Sequence, residues 1–338
     1  MQRFVNDPNY VVEDMLKGFT ETYSYIKRSE ENERVVYYRD QPKGHVGLVS
    51  GGGSGHEPAF LGYVGKHMLD AVAVGEVFSS PTAAAFHEAF RKADRGAGVA
   101  CLFGNYAGDN MNVKMAVDLA EDDDINVRCV VATDDISSSP KETKEKRHGI
   151  AGGLMMWKTA GACAARGGSL EEVIRIAQKT VDATRSICVG LSACTIPAVG
   201  HPNFTIKEGT YEFGIGHHGE PGMDIRNLQN ASVIVREMVE KLNEDMPLQE
   251  HDELVVIVSG LGCTPLMEQY IVYHEVKRCL DAVGAVVVRP YVGNYVTSLD
   301  MNGIAITLLK LDEELKEYLF MEAECPAFTQ QGKERKVI

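Results

Sequence analysis

The residues best suited to chemistry in this chain lie in three short polar segments. They are Ser54–Pro58 (Ser-Gly-His-Glu-Pro), Gly108–Asn110 (Gly-Asp-Asn) and Gly214–Gly222 (Gly-Ile-Gly-His-His-Gly-Glu-Pro-Gly). Histidine and carboxylate side chains can move protons near neutral pH, and a neutral imidazole can also attack a carbon atom. Together these segments favour a site for a small polar molecule.

The first segment follows a run of glycines. The apolar residues Val46–Val49 predict a buried strand, which then enters Gly51–Gly53. Glycine allows positive φ and leaves backbone amides open to a ligand. A nucleotide P-loop is excluded because His56 stands where its lysine is needed, and the spacing does not match GxGxxG. A tight strand-to-helix turn without a ligand is the alternative.

The third segment contains two adjacent histidines, His217 and His218. Its glycines and proline are not typical of regular structure, so we expect both histidines to face a pocket. A structural role for either histidine is the alternative. Metal ligation is a rival functional hypothesis, but no HxH, HExxH or CxxC spacing supports it, and we expect no metal.

Short β-branched runs alternate with helical patterns, which predicts two α/β domains, each with a mostly parallel or mixed sheet flanked by helices. The predicted domains are residues 1–190, with the glycine-rich loops, and 191–338, with the His218 loop. The glycine turn and residues 104–109 both follow predicted strands, so their loops should converge at the carboxyl edge of one sheet. The predicted strands are 47–50, 71–74, 98–103, 127–133, 189–193, 253–260, 285–290 and 304–309, and the predicted helices are 81–93, 112–121, 150–165, 170–183, 224–242, 267–282 and 312–319.

The amino-acid composition limits the classes of partner that we expect. The 338 residues include 34 Lys and Arg and 48 Asp and Glu, a formal net charge of −14, so a nucleic acid is not expected to bind. Eight scattered cysteines without CxxC pairs argue against disulfides and a zinc site. The chain contains no targeting segment and no run of about 18 apolar residues, so we expect a cytoplasmic protein that does not span a membrane.

Six motifs in order resemble the dihydroxyacetone kinase substrate-binding subunit family. The resemblance runs from about residue 5 to about residue 328. The motifs are Val49–Pro58, Gly75–Thr82, Asn105–Asp109, Ser192–Pro197, Gly216–Gly222 and Thr297–Met301.

The resemblance implies a mechanism. The family histidine just before Gly-Glu-Pro-Gly corresponds to His218, which would hold the ketose as a covalent hemiaminal; His217 is not the matching position. The family's second histidine and its aspartate correspond to His56 and Asp109, which would bind the substrate hydroxyls and assist proton removal. Gly53, Ser80 and Gly104 match positions around the substrate pocket.

The resemblance also implies partners. No nucleotide cradle with a magnesium cluster is recognisable in the sequence, so we expect no cofactor on this chain. A separate nucleotide-binding subunit would hold ADP or ATP with magnesium, and the donor would be ATP or the phosphoenolpyruvate phosphotransferase system. A homodimer is also expected from the family.

Two departures from the family leave alternatives open. Gly104 stands where bacterial members commonly have a lysine, and the linker after Leu242 is shorter. Both are compatible with a four-carbon ketose or a different partner. The second alternative is a ketose sensor that acts as a coactivator of a transcription regulator and transfers no phosphoryl group.

Overall fold

The structure is a computed structural model that describes residues 2–40, 42–202 and 204–332. The chain forms two compact units, each built from discontinuous segments. Residues 2–40, 42–132, 153–181 and 313–332 form what we call the glycine-loop unit. Residues 133–152 and 182–312 form the histidine-loop unit. The outer ends of the predicted domains, residue 1 and residues 333–338, lie outside the described residues.

Strands and helices alternate along most of the chain. The strands are β1 (Ile26–Arg28), β2 (Val35–Tyr38), β3 (Gly47–Ser54), β4 (Ala71–Val77), β5 (Val99–Gly104), β6 (Val127–Ala132), β7 (Thr184–Gly190), β8 (Thr210–Phe213), β9 (Asp224–Asn227), β10 (Glu253–Gly260), β11 (Val286–Gly293), β12 (Gly303–Lys310), β13 (Ala323–Cys325) and β14 (Phe328–Gln330). The α-helices are α1 (Val11–Thr22), α2 (Ala83–Ala93), α3 (Ala107–Asp122), α4 (Gly153–Ala165), α5 (Leu170–Asp182), α6 (Ala231–Asp245), α7 (Leu266–Ala282) and α8 (Glu313–Leu319).

The glycine-loop unit contains a six-stranded mixed sheet in the order β1-β2-β4-β3-β5-β6. Strands β4, β3, β5 and β6 are parallel, and β1 and β2 extend the sheet in antiparallel fashion. Buried Phe86 and Phe90 of α2 and Ala116 of α3 belong to the core of this unit. Helix α4 contacts β3 and β5, and Trp157 of α4 donates a hydrogen bond to the carbonyl of Leu102 at 3.1 Å. Because β4, β3, β5 and β6 are parallel, their carboxyl ends lie at one edge of the sheet, and the helices cover its two faces.

The histidine-loop unit contains a second six-stranded sheet in the order β11-β10-β12-β7-β8-β9. Only β10 and β11 pair in parallel; the other neighbours are antiparallel. The core of this unit is formed by apolar side chains of the sheet and of α6 and α7, including Ile187, Val256 and Leu280. The predicted fold class, two α/β sheets flanked by helices, is confirmed.

The division into units differs from the predicted single boundary at residue 190. Strand β7 lies before that boundary, yet it pairs along its length with β12, Ile187 opposite Ile306. Residues 133–152 join the same unit because the buried carboxylate of Asp134 accepts hydrogen bonds from the Ser186 hydroxyl at 2.5 Å and the Gly152 amide at 2.9 Å. These long-range pairings leave no composition signal along the sequence.

The local predictions for individual helices and strands are confirmed in part. The predicted capping box is confirmed, because Ser169 and Glu172 exchange hydrogen bonds at the start of α5. The helix predicted over 224–242 is wrong at its start, where β9 precedes α6. Strand β9 pairs with β8, Asp224 opposite Phe213, and so closes the glycine-rich histidine segment into the loop of a hairpin. The predicted strand 189–193 is observed earlier, as β7.

Candidate active site

The glycine-loop unit places five of the predicted site residues at the carboxyl edge of its parallel strands. Gly53 lies in β3, Gly104 ends β5, and Ser80 follows β4. His56 and Asp109 lie in the segments that continue from β3 and β5. Parallel strands that share an edge bring their following loops together, and ligands of α/β proteins bind in such positions.

Gly53 is needed for close packing of two neighbouring loops. A Cβ atom at this position would lie 2.7 Å from the backbone nitrogen of Ser79 and 3.1 Å from the Cα atom of Phe78. Among the glycines of residues 51–55, only Gly55 adopts a positive φ, at 98°. The glycines here provide space more than unusual dihedral angles.

His56 is held against an aromatic ring. Its side chain is buried and stacks on Phe78, with ring centroids 5.1 Å apart and an interplanar angle of 21°. The next residue, Glu57, accepts a hydrogen bond from the amide of Gly55 at 3.0 Å, and burial raises the pKa of Glu57. Stacking and this tight turn fix the imidazole at the strand end.

Asp109 is a buried carboxylate in the first turn of α3. Helix α3 begins at Ala107, earlier than the predicted helix 112–121, so Asp109 lies in the helix and not in a loop. Positive electrostatic potential at a helix N-terminus stabilises a negative charge there. The Ser80 hydroxyl donates a hydrogen bond to Oδ2 of Asp109 at 2.8 Å. The structure therefore brings these two predicted site residues into contact.

Gly108 makes the contact between Ser80 and Asp109 possible. A Cβ atom at Gly108 would lie 2.6 Å from the Ser80 hydroxyl oxygen. Any side chain at this position would displace Ser80 from the carboxylate. The glycine in this motif is thus a direct packing requirement.

The histidine segment of the other unit is a hairpin loop held by its own backbone. The Gly214 amide donates to the Cys188 carbonyl at 2.8 Å, and the Gly216 amide donates to the Glu220 carbonyl at 3.0 Å. The Ser298 hydroxyl donates to the carbonyl of His217. These contacts fix the loop against β7 and the segment that precedes β12.

The two adjacent histidines have different environments, and His217 is the more buried of the two. Its side chain is buried, and Nε2 lies 3.7 Å from the Cys188 sulfur. Burial lowers the pKa of His217 to about 4, so its ring is neutral at neutral pH. The His218 side chain is 26% exposed and is therefore open to a ligand.

His218 is paired with Glu220, a residue to which the sequence motifs assigned no role. Nδ1 of His218 lies 2.8 Å from Oε1 of Glu220, and the His218 amide donates to Oε2 at 2.9 Å. Burial alone raises the pKa of Glu220, but hydrogen bonding and charge from His218 outweigh it and bring that pKa to about 2. Glu220 is therefore an ionised acceptor for a proton on Nδ1. In a neutral ring this leaves the lone pair on Nε2.

Two further titratable groups of the histidine-loop unit were not predicted from the sequence. His148 interacts electrostatically with Glu220 and His218, and burial lowers its pKa. Burial raises the pKa of Asp135 to about 7, with Glu220 among the charges that contribute. The adjacent carboxylates in Thr133–Asp135, directly after β6, were a signal that could have found the second group.

Neither a metal-binding cluster nor a membrane-spanning helix is found in the part of the chain that the structure describes. Within residues 2–40, 42–202 and 204–332, no three His, Cys, Asp or Glu side chains are grouped so that they could hold a metal ion. No helix among the same residues is long and apolar enough to cross a membrane.

The fold and these loops define a class: α/β proteins that carry histidines and carboxylates on strand-end loops, as in sites for small polar ligands. The family model described as the Dak1 domain matches residues 17–327, so the chain belongs to the Dak1 domain family. The resemblance inferred from the six motifs is thereby confirmed.

Three relatives show what the chain is similar to. The dihydroxyacetone-binding subunit of the PTS-dependent dihydroxyacetone kinase 1 of Listeria innocua is 42% identical over 93% of this chain and 95% of that protein. D-erythrulose kinase of Mycolicibacterium smegmatis is 39% identical over 97% of this chain and 56% of that protein. The solved structure of a dihydroxyacetone kinase operon co-activator is 33% identical, with a TM-score of 0.89, over 94% of this chain and 98% of that one.

Proposed function

We propose that this chain is the substrate-binding subunit of a dihydroxyacetone kinase and that His218 holds the ketose covalently as a hemiaminal. The observation that carries the proposal is the contact of His218 Nδ1 with the ionised Glu220 carboxylate at 2.8 Å. The name of the Listeria innocua relative, a dihydroxyacetone-binding subunit, supports the substrate.

The covalent step uses the nitrogen opposite Glu220. Nε2 attacks the carbonyl carbon of the ketose, a C–N bond forms, and the electron pair of the C=O π bond moves to oxygen, which takes up a proton. The positive charge that develops on the ring lies next to the Glu220 carboxylate. Loss of the Nδ1 proton then gives the neutral hemiaminal, so the proton count is unchanged. Glycerol has no such carbon, so covalent capture separates a ketose from it.

We assign the hydroxyl groups of the ketose to Asp109 and His56. The Ser80 hydroxyl orients the Asp109 carboxylate through its 2.8 Å hydrogen bond. A carboxylate and an imidazole can bind a hydroxyl group and take its proton as it attacks phosphorus. Gly53 and Gly104 would lie beside the ketose at the ends of β3 and β5, where Gly53 lets the loop of Phe78 and Ser79 pack closely.

The phosphoryl group would come from a partner. We propose a separate nucleotide-binding subunit that carries ADP or ATP with magnesium, since the sequence has no recognisable nucleotide cradle. The Listeria innocua relative is named as part of a PTS-dependent kinase, and this name favours a phosphotransferase-system donor. A homodimer and a cytoplasmic location complete the proposal.

The covalent step can be observed directly by carbon NMR. With dihydroxyacetone labelled at its carbonyl carbon, a diffusion-filtered ¹³C spectrum should show a protein-bound tetrahedral carbon, because sp² carbon becomes sp³ in the hemiaminal. His218→Ala should abolish this signal, and His201→Ala, at an exposed position, should retain it. A signal that survives in His218→Ala, or its absence in the native protein at saturating ketose, would refute the assignment.

A four-carbon ketose is the second candidate substrate. It is favoured by the D-erythrulose kinase relative and by Gly104 at the end of β5. Competition between dihydroxyacetone and erythrulose for the labelled site measures the preference. Tighter binding of erythrulose would change the substrate but not the chemistry.

A ketose-sensing coactivator is the competing function, favoured by the solved co-activator structure. Such a protein would give the tetrahedral carbon signal without turnover. Reconstitution with a nucleotide-binding kinase subunit and its phosphoryl donor separates the two functions. Phosphorylated ketose is expected from the kinase subunit, and its absence, with the bound signal present, would identify the sensor.

A further inference from the structure

Two cysteines that are far apart in sequence lie side by side in the glycine-loop unit. Cys101 of β5 is directly opposite Cys129 of β6 in the parallel register. Opposite residues on neighbouring strands point to the same face, and the strands lie about 4.8 Å apart. Disulfides join Cα atoms about 4.4–6.8 Å apart, so this spacing suits a disulfide.

The two thiols also affect each other's ionisation, since each is among the groups that shift the pKa of the other. Cys101 is buried in the core, whereas Cys129 is exposed on β6, the edge strand of the sheet. The pair thus has one member that reagents can reach and one that only its neighbour can reach.

The pKa values of the two thiols are shifted in opposite directions, and the exposed thiol is the more acidic one. The hydrogen bond from Cys101 lowers the pKa of Cys129, and burial raises the pKa of Cys101. Thiolate is the attacking species in thiol–disulfide exchange, so the exposed member reacts first.

We propose that Cys101 and Cys129 form a reversible dithiol–disulfide site that is oxidised by a low-molecular-weight disulfide such as oxidised glutathione. The Cys129 thiolate attacks one sulfur of the oxidant and expels one glutathione thiolate, which leaves a mixed disulfide. The Cys101 sulfur, on losing its proton, then attacks the Cys129 sulfur and expels the second glutathione. Two protein thiols lose two electrons and two protons, and the oxidant becomes two molecules of reduced glutathione.

The position of the pair relates it to the candidate active site. Strand β5 continues from Cys101 to Gly104 and then into the helical turn that carries Asp109. A bond between the two sulfurs would fix β5 to the edge strand three residues before Gly104. The redox state of the pair would therefore act on the strand that positions the Asp109 carboxylate.

Peptide mapping without reductant tests the proposal. The native protein is treated with oxidised glutathione until exposed Cys263 is glutathionylated, then alkylated and digested with trypsin. We expect the peptides 96–114 and 129–141, each with one cysteine, to be recovered as a linked species lacking two hydrogen atoms. Dithiothreitol should separate them again.

Two variants distinguish the roles of the sulfurs. Cys101→Ala removes the resolving thiol, so glutathione should remain on Cys129 in this variant. Cys263→Ala is the matched control and should leave the linked peptides unchanged. Recovery of the two peptides separately from oxidised native protein, or linkage of Cys129 to any other cysteine, would overturn the proposal. This result is independent of whether the chain is a kinase subunit.

Discussion

Replacement of Glu220 tests the central argument about the candidate active site. Glu220 makes two contacts with one residue: Oε1 with Nδ1 of His218 at 2.8 Å and Oε2 with its amide at 2.9 Å. In Glu220→Gln the amide oxygen can accept only one of these two hydrogen bonds well, and the negative charge is lost. Glu220→Ala removes both contacts.

The magnitude follows from the kind of interaction that is lost. A hydrogen bond to a charged group contributes about 1.5–3 kcal/mol. The Glu220 side chain is 35% exposed, so solvent screening favours the lower part of that range. Since about 1.4 kcal/mol corresponds to a factor of ten in rate, Glu220→Gln should slow ketose capture by about 10-fold. Glu220→Ala, which also releases the loop amide, should slow it by about 100-fold.

The assay measures the formation rate of the tetrahedral carbon and the turnover with a nucleotide-binding partner. A ¹⁵N spectrum of the His218 ring gives an independent readout, because loss of the carboxylate should reduce the population protonated at Nδ1. Glu208→Gln, at an exposed position in the preceding segment, is the matched control and should react as the native protein does. Capture at the native rate in Glu220→Ala would show that the carboxylate does not activate the ring.

Three further predictions concern other parts of the chain. Asp245→Asn should lower the free energy of unfolding by about 3–5 kcal/mol, because it leaves buried Arg147 and half-buried Arg185 without their shared carboxylate. The control Asp224→Asn, at an exposed position, should cost less than about 1 kcal/mol; urea unfolding measures both losses, and equal losses would contradict the argument. Gly53→Ala should raise the KM for the ketose about 10-fold, because the added Cβ would lie 2.7 Å from the Ser79 nitrogen. The control Gly18→Ala, where the added Cβ meets open space, should leave the KM unchanged; an unchanged KM in Gly53→Ala would show that Gly53 is not part of the site. Burial lowers the pKa of His45, but its hydrogen bond with Asp70 and the Asp70 charge raise it more, so the net pKa is raised. The His45–Asp70 pair therefore stabilises the folded protein below the ordinary pKa of histidine, and this stabilisation is lost as pH rises through the pKa of His45 in the folded state. His45→Gln should therefore destabilise the protein more at about pH 5.5 than at about pH 8.5, on either side of the ordinary histidine pKa of about 6.5, and a loss that does not depend on pH would refute the charged pair.

The predicted features that the structure bears out are those written in short stretches of sequence. The runs of β-branched residues predicted β3, β4, β5 and β10 because strand propensity and burial follow residue type locally. The capping box at Ser169 and Glu172 is confirmed for the same reason, since all of its atoms come from four consecutive residues. The order of the glycine, histidine and carboxylate motifs was sufficient to identify the family.

The sequence alone could not assign the environment of each site residue. Within the pair His217 and His218, the first side chain is buried beside Cys188 and the second is half-buried beside Glu220. Nothing in their order along the chain distinguishes them. Burial depends on contacts from distant segments, and the pKa values of the groups follow from burial.

The sequence by itself therefore determined the two-sheet α/β class, the acidic character and the residue types available for chemistry. Only the tertiary structure decided that residues 133–152 join the unit of His218, that Ser80 holds Asp109, and that Cys101 meets Cys129. The physical reason is that propensity and spacing act over a few residues. Strand register, burial and the distances between side chains are set by pairings between residues far apart in the chain.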